Sequence, residues 1–193
     1  MLVLIVGLVL FLGVHSTRIV AEDWRNQMVS KLGENGWKAV YSIISLVGFV
    51  LIVWGYGMAR AAGSPVLYVP PTFLSHIAFL LMLIAFIALF SAYFGDKIHG
   101  VLKHPMLVAV KIWALAHLLA NGDLASLILF IAFLAWAVAD RISVKRRVAV
   151  SSGQRVIGGI AGDAVAVVLG TGVYLAFMFW LHAAWIGVPL LPG

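Results

Sequence analysis

Long apolar runs separated by short polar stretches govern the reading of this chain. Residues 1–17, 37–59, 72–94, 104–120, 124–140 and 164–186 are almost free of charge. A helix of about 20 apolar residues crosses a hydrocarbon core ~30 Å thick. The pattern therefore predicts an all-α polytopic membrane protein, a bundle of about six transmembrane helices forming one domain over residues 1–193. For the first run a signal peptide is the competing reading. No positive charge precedes it and no A-x-A-like site follows, which favours a membrane helix. Between Arg18 and Lys38 the chain turns polar, and Trp24, Met28 and Leu32 recur at i, i+4 and i+8. That spacing predicts a short helix lying on the membrane surface, ended by Gly33 and Glu34-Asn35-Gly36. Trp37 and Tyr41 at one end of the second span, and Trp54 and Tyr56 at the other, suit the two interfaces. Gly55-Tyr56-Gly57 follows no strand, so it is not a dinucleotide loop. In the last span Gly158, Gly162, Ala166 and Gly170 make a small-residue stripe open to another helix. Asp163, beside it, reads as a solvated helix start.

The charges fix an orientation. Loops after the first, third and fifth spans carry Arg18, Arg25, Lys31, Lys38, Lys97, Lys103, Arg141, Lys145, Arg146, Arg147 and Arg155, whereas the opposite side carries Arg60 alone. By the positive-inside rule both termini face outside the cell membrane. The composition agrees: 64% hydrophobic, 10% charged, mean hydropathy +1.11. The net charge of +6 sits in these loops, so it signals topology and not nucleic-acid binding. There is no cysteine, which excludes disulfides, thiolate zinc sites, iron–sulfur clusters and covalent haem attachment.

Polar side chains at membrane depth are costly and point to function. The stretch His104–Asp123 concentrates them. Met106, Val110, Trp113, His117 and Asn121 share one helical stripe, and His104 shares another with Lys111. Pro105 suits a first turn, and Asn121-Gly122-Asp123 a stop. Lys111 costs ~2.5–3.5 kcal/mol at a helix centre. It either snorkels, pairs with Asp140, or meets an acidic cofactor group such as a haem propionate. Of the six histidines, His99 and His182 read as interfacial anchors and His104 as a cap. His15 and His117 lie several residues inside apolar runs, where imidazole suits haem iron between bundle helices.

Several segments together resemble the NnrU family of bacterial membrane proteins. They are Gly13-Val14-His15-Ser16 with Arg18; Gly36-Trp37 with Tyr41-Ser42 and Ser45; Gly55-Tyr56-Gly57 with Ala59-Arg60; Pro70-Pro71 with His76; His104-Pro105-Met106-Leu107 through Trp113 to Gly122; and Asp140-Arg141-Ile142-Ser143. The resemblance covers residues 1 to about 147. It implies a bacterial inner-membrane location and an association with nitrite and nitric oxide metabolism (denitrification). A plant and cyanobacterial branch, the 15-cis-zeta-carotene isomerases, looks like the same fold and binds haem b through histidines. Its ligand motifs fall on His15 and on His104, Trp113 and His117. Where that branch has a cysteine three residues before the second histidine, this chain has Ala114, which removes any thiolate chemistry at iron.

The resemblance implies haem b as cofactor, with His15 and His117 as iron ligands and Trp113 beside them, while Lys111 stays a candidate cofactor contact from its position in the span. Simple counting complicates the pairing. At ~1.5 Å per residue, His117 lies ~20 Å beyond His104 and His15 ~21 Å beyond Met1, so the two stand at different heights. His76 matches His117 better and is the rival ligand. Two functions follow: a haem protein acting in redox chemistry or as an isomerase of a lipophilic polyene, or a non-catalytic assembly partner of a reductase complex using the glycine stripe. Expected partners are the lipid bilayer and a membrane protein or second copy, with no nucleic acid. Lys103-His104-Pro105 loosely resembles isoprenylcysteine-type methyltransferases, but the acidic, aromatic C-terminal motif of those enzymes is missing.

Overall fold

With no water to satisfy backbone groups in hydrocarbon, apolar runs must pair their N–H and C=O groups within one helix. The computed structural model describes residues 1–148 and 160–190, and they are helical almost throughout. The elements are α1 (Leu2–Val20), α2 (Glu22–Ala61), α3 (Thr72–Ser91), α4 (Lys97–Leu102), α5 (Pro105–Ala120), α6 (Leu124–Val148), α7 (Ile160–Ala176), a π-helical turn (Phe177–Leu181) and α8 (His182–Ile186). Among the described residues five helical stretches are long and apolar enough to cross a membrane: Leu2–Val20, Glu22–Ala61, Thr72–Ser91, Leu124–Arg147 and Ile160–Ile186. The expected sixth, α5, is apolar but has only 16 residues. At ~1.5 Å per residue it is about 24 Å long, short of the ~30 Å core. Gly158 and Arg155 lie outside the described residues.

The surface helix and second span run together as α2, broken at Gly33 alone (φ 72°, ψ 164°). Glycine enters that region without a Cβ penalty. Glu34 to Gly36 do not extend the stop as expected. The helix resumes there, with an exposed Lys38–Glu34 pair at 2.6 Å and Trp24 edge-on to Trp37 at 5.9 Å.

The chain divides into two compact units. The first comprises residues 1–69 and 121–144. Here α1 and α2 form an antiparallel pair that meets at glycines, Gly55 against Leu4, Gly7 against Ile52 and Gly48 against Phe11. The loop after α2 is tied to the turn before α6, Leu67 N–H donating to Gly122 O (2.8 Å) and Leu124 N–H to Pro65 O (2.8 Å). Asp123 then caps α6. Its carboxylate accepts from the Ser126 N–H (3.1 Å) and from the Ser126 hydroxyl, and the Ser126 hydroxyl also meets Tyr56 Oη at 2.9 Å. Burial pushes the Asp123 carboxyl up, but bonds from Ser126 and Ser64 and the charge of Arg60 together hold it below its usual value. Arg60 in turn lies 5.8 Å from the Tyr56 ring centre.

The second unit comprises residues 70–120 and 145–193, with α3 packed against both α5 and α7. The glycine stripe is consumed inside this unit. A Cβ on Gly170 would stand 2.8 Å from Ile87 Cα, and one on Gly162 would stand 2.2 Å from Phe94 O. Ala166 between them is fully buried. Asp163 is not a solvated start. Its carboxylate accepts the N–H groups of Asp96 (2.8 Å), Lys97 (3.1 Å) and Ile98 (3.1 Å), gathering donors that a helix start leaves unpaired. Asp163→Ala should therefore accelerate amide hydrogen exchange at residues 96–98. Asp163→Asn, which keeps an acceptor oxygen, should retain most of the protection.

Candidate histidine sites

Two histidines inside apolar helices are oriented in the same way. In the first unit, His15 on α1 donates from Nδ1 to the Phe11 carbonyl one turn earlier, at 2.6 Å. In the second, His117 on α5 donates from Nδ1 to the Trp113 carbonyl at 2.8 Å. A carbonyl only accepts, so Nδ1 carries the proton in each ring and Nε2 keeps the lone pair. Metal-binding histidines are commonly held this way, with one nitrogen on a backbone carbonyl and the other directed at the metal.

Aromatic rings fix the two imidazoles further. His15 stacks on Phe11 at 4.2 Å and 29°. Tyr41 of α2 lies 5.1 Å from it and Trp136 of α6 stands edge-on at 5.9 Å. Phe11 also meets Phe133 (5.8 Å) and Phe49 (6.4 Å). The box arises from helical spacing: Tyr41, Ser45 and Phe49 recur at i, i+4 and i+8, and Phe133, Trp136 and Asp140 at i, i+3 and i+7. The Asp140 carboxyl lies within electrostatic reach of Tyr41. Tyr41 read in the sequence as an interfacial anchor and Asp140 as a span terminus, and Trp136 carried no signal there. The stripes are legible once α1, α2 and α6 are known to share a unit.

His117 has the Trp113 ring at 5.3 Å and His182 within electrostatic reach. His182 is itself held by the Val188 carbonyl at 2.7 Å. Trp113, with Met82, Phe86, Leu89, Ala109 and Val110, borders an apolar groove of about 120 Å³. Pockets for cofactors usually run ~300–1,000 Å³, so this groove admits a hydrocarbon chain and not a porphyrin. Lys111 is half-buried and has no partner among the described residues. His76, the rival ligand, is exposed on α3 and its ring makes no described hydrogen bond. His104 begins α5 as expected of a cap, its carbonyl accepting the Val108 N–H at 3.1 Å.

The donor set fits haem. Iron in a porphyrin takes only one or two axial side chains from the protein, and neutral imidazole is a usual ligand. Among the described residues no three His, Asp or Glu side chains gather as a bare ion would need. A family model described as NnrU protein matches residues 3–190. No curated protein matches. No solved structure matches either.

Proposed function

From the premise that this chain belongs to the NnrU family, we propose that it is a haem b protein of the bacterial inner membrane serving nitrite and nitric oxide metabolism. His117 is the iron ligand proposed in the second unit, and His15 is a separate candidate within the first. The carrying observation is the shared anchoring of these two imidazoles, Nδ1 on the carbonyl one turn back. Nothing comparable holds His76, which makes it the weaker rival. Bound haem supplies one-electron redox chemistry. The protein's own part is to present Nε2 and keep the surroundings apolar, with Trp113 beside His117 and the Phe11–Tyr41–Trp136 box around His15. Lys111 is a cation for an acidic edge of the cofactor.

The test is the absorption spectrum of detergent-purified protein from haem-replete cells, oxidised and reduced. A Soret band with shifts on reduction is expected. A colourless preparation that stays unchanged after haem addition overturns the reading.

Haem-dependent isomerisation of a lipophilic polyene is the second reading, favoured by the apolar groove at Trp113. Conversion of zeta-carotene by the haem-loaded protein would distinguish it from a purely redox role. The assembly-partner reading has less support, because Gly162 and Gly170 pack on neighbouring backbone in the second unit.

From the charge asymmetry we infer that α5 makes a sixth, short crossing and that both termini lie outside the cytoplasm. Alkaline phosphatase fused at the C-terminus should be active there and a fluorescent protein dark. The reverse pattern would invert the topology.

A further inference from the structure

Residues 22–32, the first part of α2, lie apart from the span that follows them. Along an unbroken helix Trp24 and Trp37 would stand ~20 Å apart, at ~1.5 Å per residue, yet their rings meet at 5.9 Å. The bend at Gly33 (φ 72°) therefore folds the segment back beside the start of the second span. Both its ends are tethered at one bilayer surface, to the end of α1 at Val20 on one side and to the second span on the other. Trp37 follows Gly33 into the apolar run, so a helix face turned to Trp37 is turned to the bilayer. Trp24 carries that face. At about 100° per residue, Trp24, Met28 and Leu32 form one stripe, Lys31 borders it on one side and Arg25 on the other. Glu22 and Asp23 fall outside this arc. Trp24 is 48% exposed and Leu32 49%, so the protein covers only about half of the stripe. Arg18 and Lys38, beyond the ends of the segment, are matched by Glu22 at 3.6 Å and by Glu34. Arg25 and Lys31 form no ion pair among the described residues, and Arg25 donates to the neighbouring Asn26 side-chain oxygen at 3.0 Å.

We propose that residues 22–32 form a docking surface for anionic phospholipid headgroups of the leaflet on which they lie. The stripe enters the acyl boundary, and Lys31 and Arg25 meet lipid phosphates on either side of it. An apolar helix face settles just below the headgroups, and basic side chains at its margins carry their charge outward on flexible apolar stems. Anionic lipid attracts such cations next to a membrane span, and salt screens the attraction. A protein partner is the other occupant an apolar stripe could take. The tether at the bilayer and the two unmatched cations favour the lipid. The surface lies in the first unit and is independent of bound haem.

The test is amide hydrogen exchange across residues 22–32 of the full-length, haem-free protein in nanodiscs of phosphatidylcholine alone or with phosphatidylglycerol added. Phosphatidylglycerol is expected to slow exchange in this segment by about fivefold per cation, to leave the spans unaltered, and to act less at high salt. The double variant Arg25→Gln, Lys31→Gln should abolish the difference between the two discs. Lys31→Gln alone, at an exposed position where folding is undisturbed, should remove part of it, and Lys31→Arg should keep it whole. Equal exchange in the two discs, or a phosphatidylglycerol effect that persists in the double variant, overturns the proposal. Protection found in native membranes but in neither disc overturns it too, in favour of a protein occupant.

Discussion

Gly55→Ala is expected to separate α1 from α2 and sharply reduce the yield of folded protein. A Cβ at Gly55 would stand 2.3 Å from Leu4 N and 2.7 Å from Leu4 Cα. Those are backbone atoms of a fully buried residue, so no rotamer change relieves the clash. Gly7 and Gly48 meet the same limit, at 2.6 Å from Ile52 N and 2.7 Å from Phe11 N. In lipid the close approach of backbones is itself the packing force, because apolar side chains gain little by leaving hydrocarbon. Overpacking costs ~1–3 kcal/mol where side chains can adjust, and this case lies at or above the upper end. Gly57→Ala, two residues along, is the control. Nothing lies within 4 Å of its added Cβ, and alanine is favoured over glycine in helices by roughly 1 kcal/mol. Thermal unfolding in detergent should show Gly55→Ala strongly destabilised and Gly57→Ala unchanged or more stable. Equal behaviour of the two would refute the glycine-mediated contact.

The contrast between these glycines shows what the sequence carries. The apolar runs announce the helices, because hydrocarbon leaves the backbone no other way to pair. Gly55-Tyr56-Gly57, by contrast, looks symmetrical until α1 is placed against α2. The seven-residue spacing from Gly48 to Gly55 was the legible hint. Asp163 and the glycine stripe misled for the same reason: their partners, Asp96 to Ile98 and the α3 backbone, lie some 65 to 85 residues away in the chain. His15 and His117 could be singled out from sequence because imidazoles inside apolar runs are conspicuous. Their anchoring is also local, to the carbonyl four residues back. The box around His15 was hidden, since it needs three helices from distant segments.

His117→Ala carries the largest expected functional effect. Losing even an outer-shell partner of a metal ligand typically costs ~10–100-fold in affinity, and removing the ligand itself costs at least as much. A fall in haem content of that size is expected. His15→Ala tests the candidate in the first unit separately, by its own effect on haem content. His76→Ala should change little, given its exposure on α3.

The most direct measurement is haem stoichiometry together with reduced-minus-oxidised spectra of the wild-type protein and the His15→Ala, His76→Ala and His117→Ala variants, purified side by side. Haem that is retained in His76→Ala and lost in His117→Ala is the expected result, with His15→Ala reporting on the first unit. Haem lost in His76→Ala and kept in His117→Ala, or no haem in any of the four, would contradict the account.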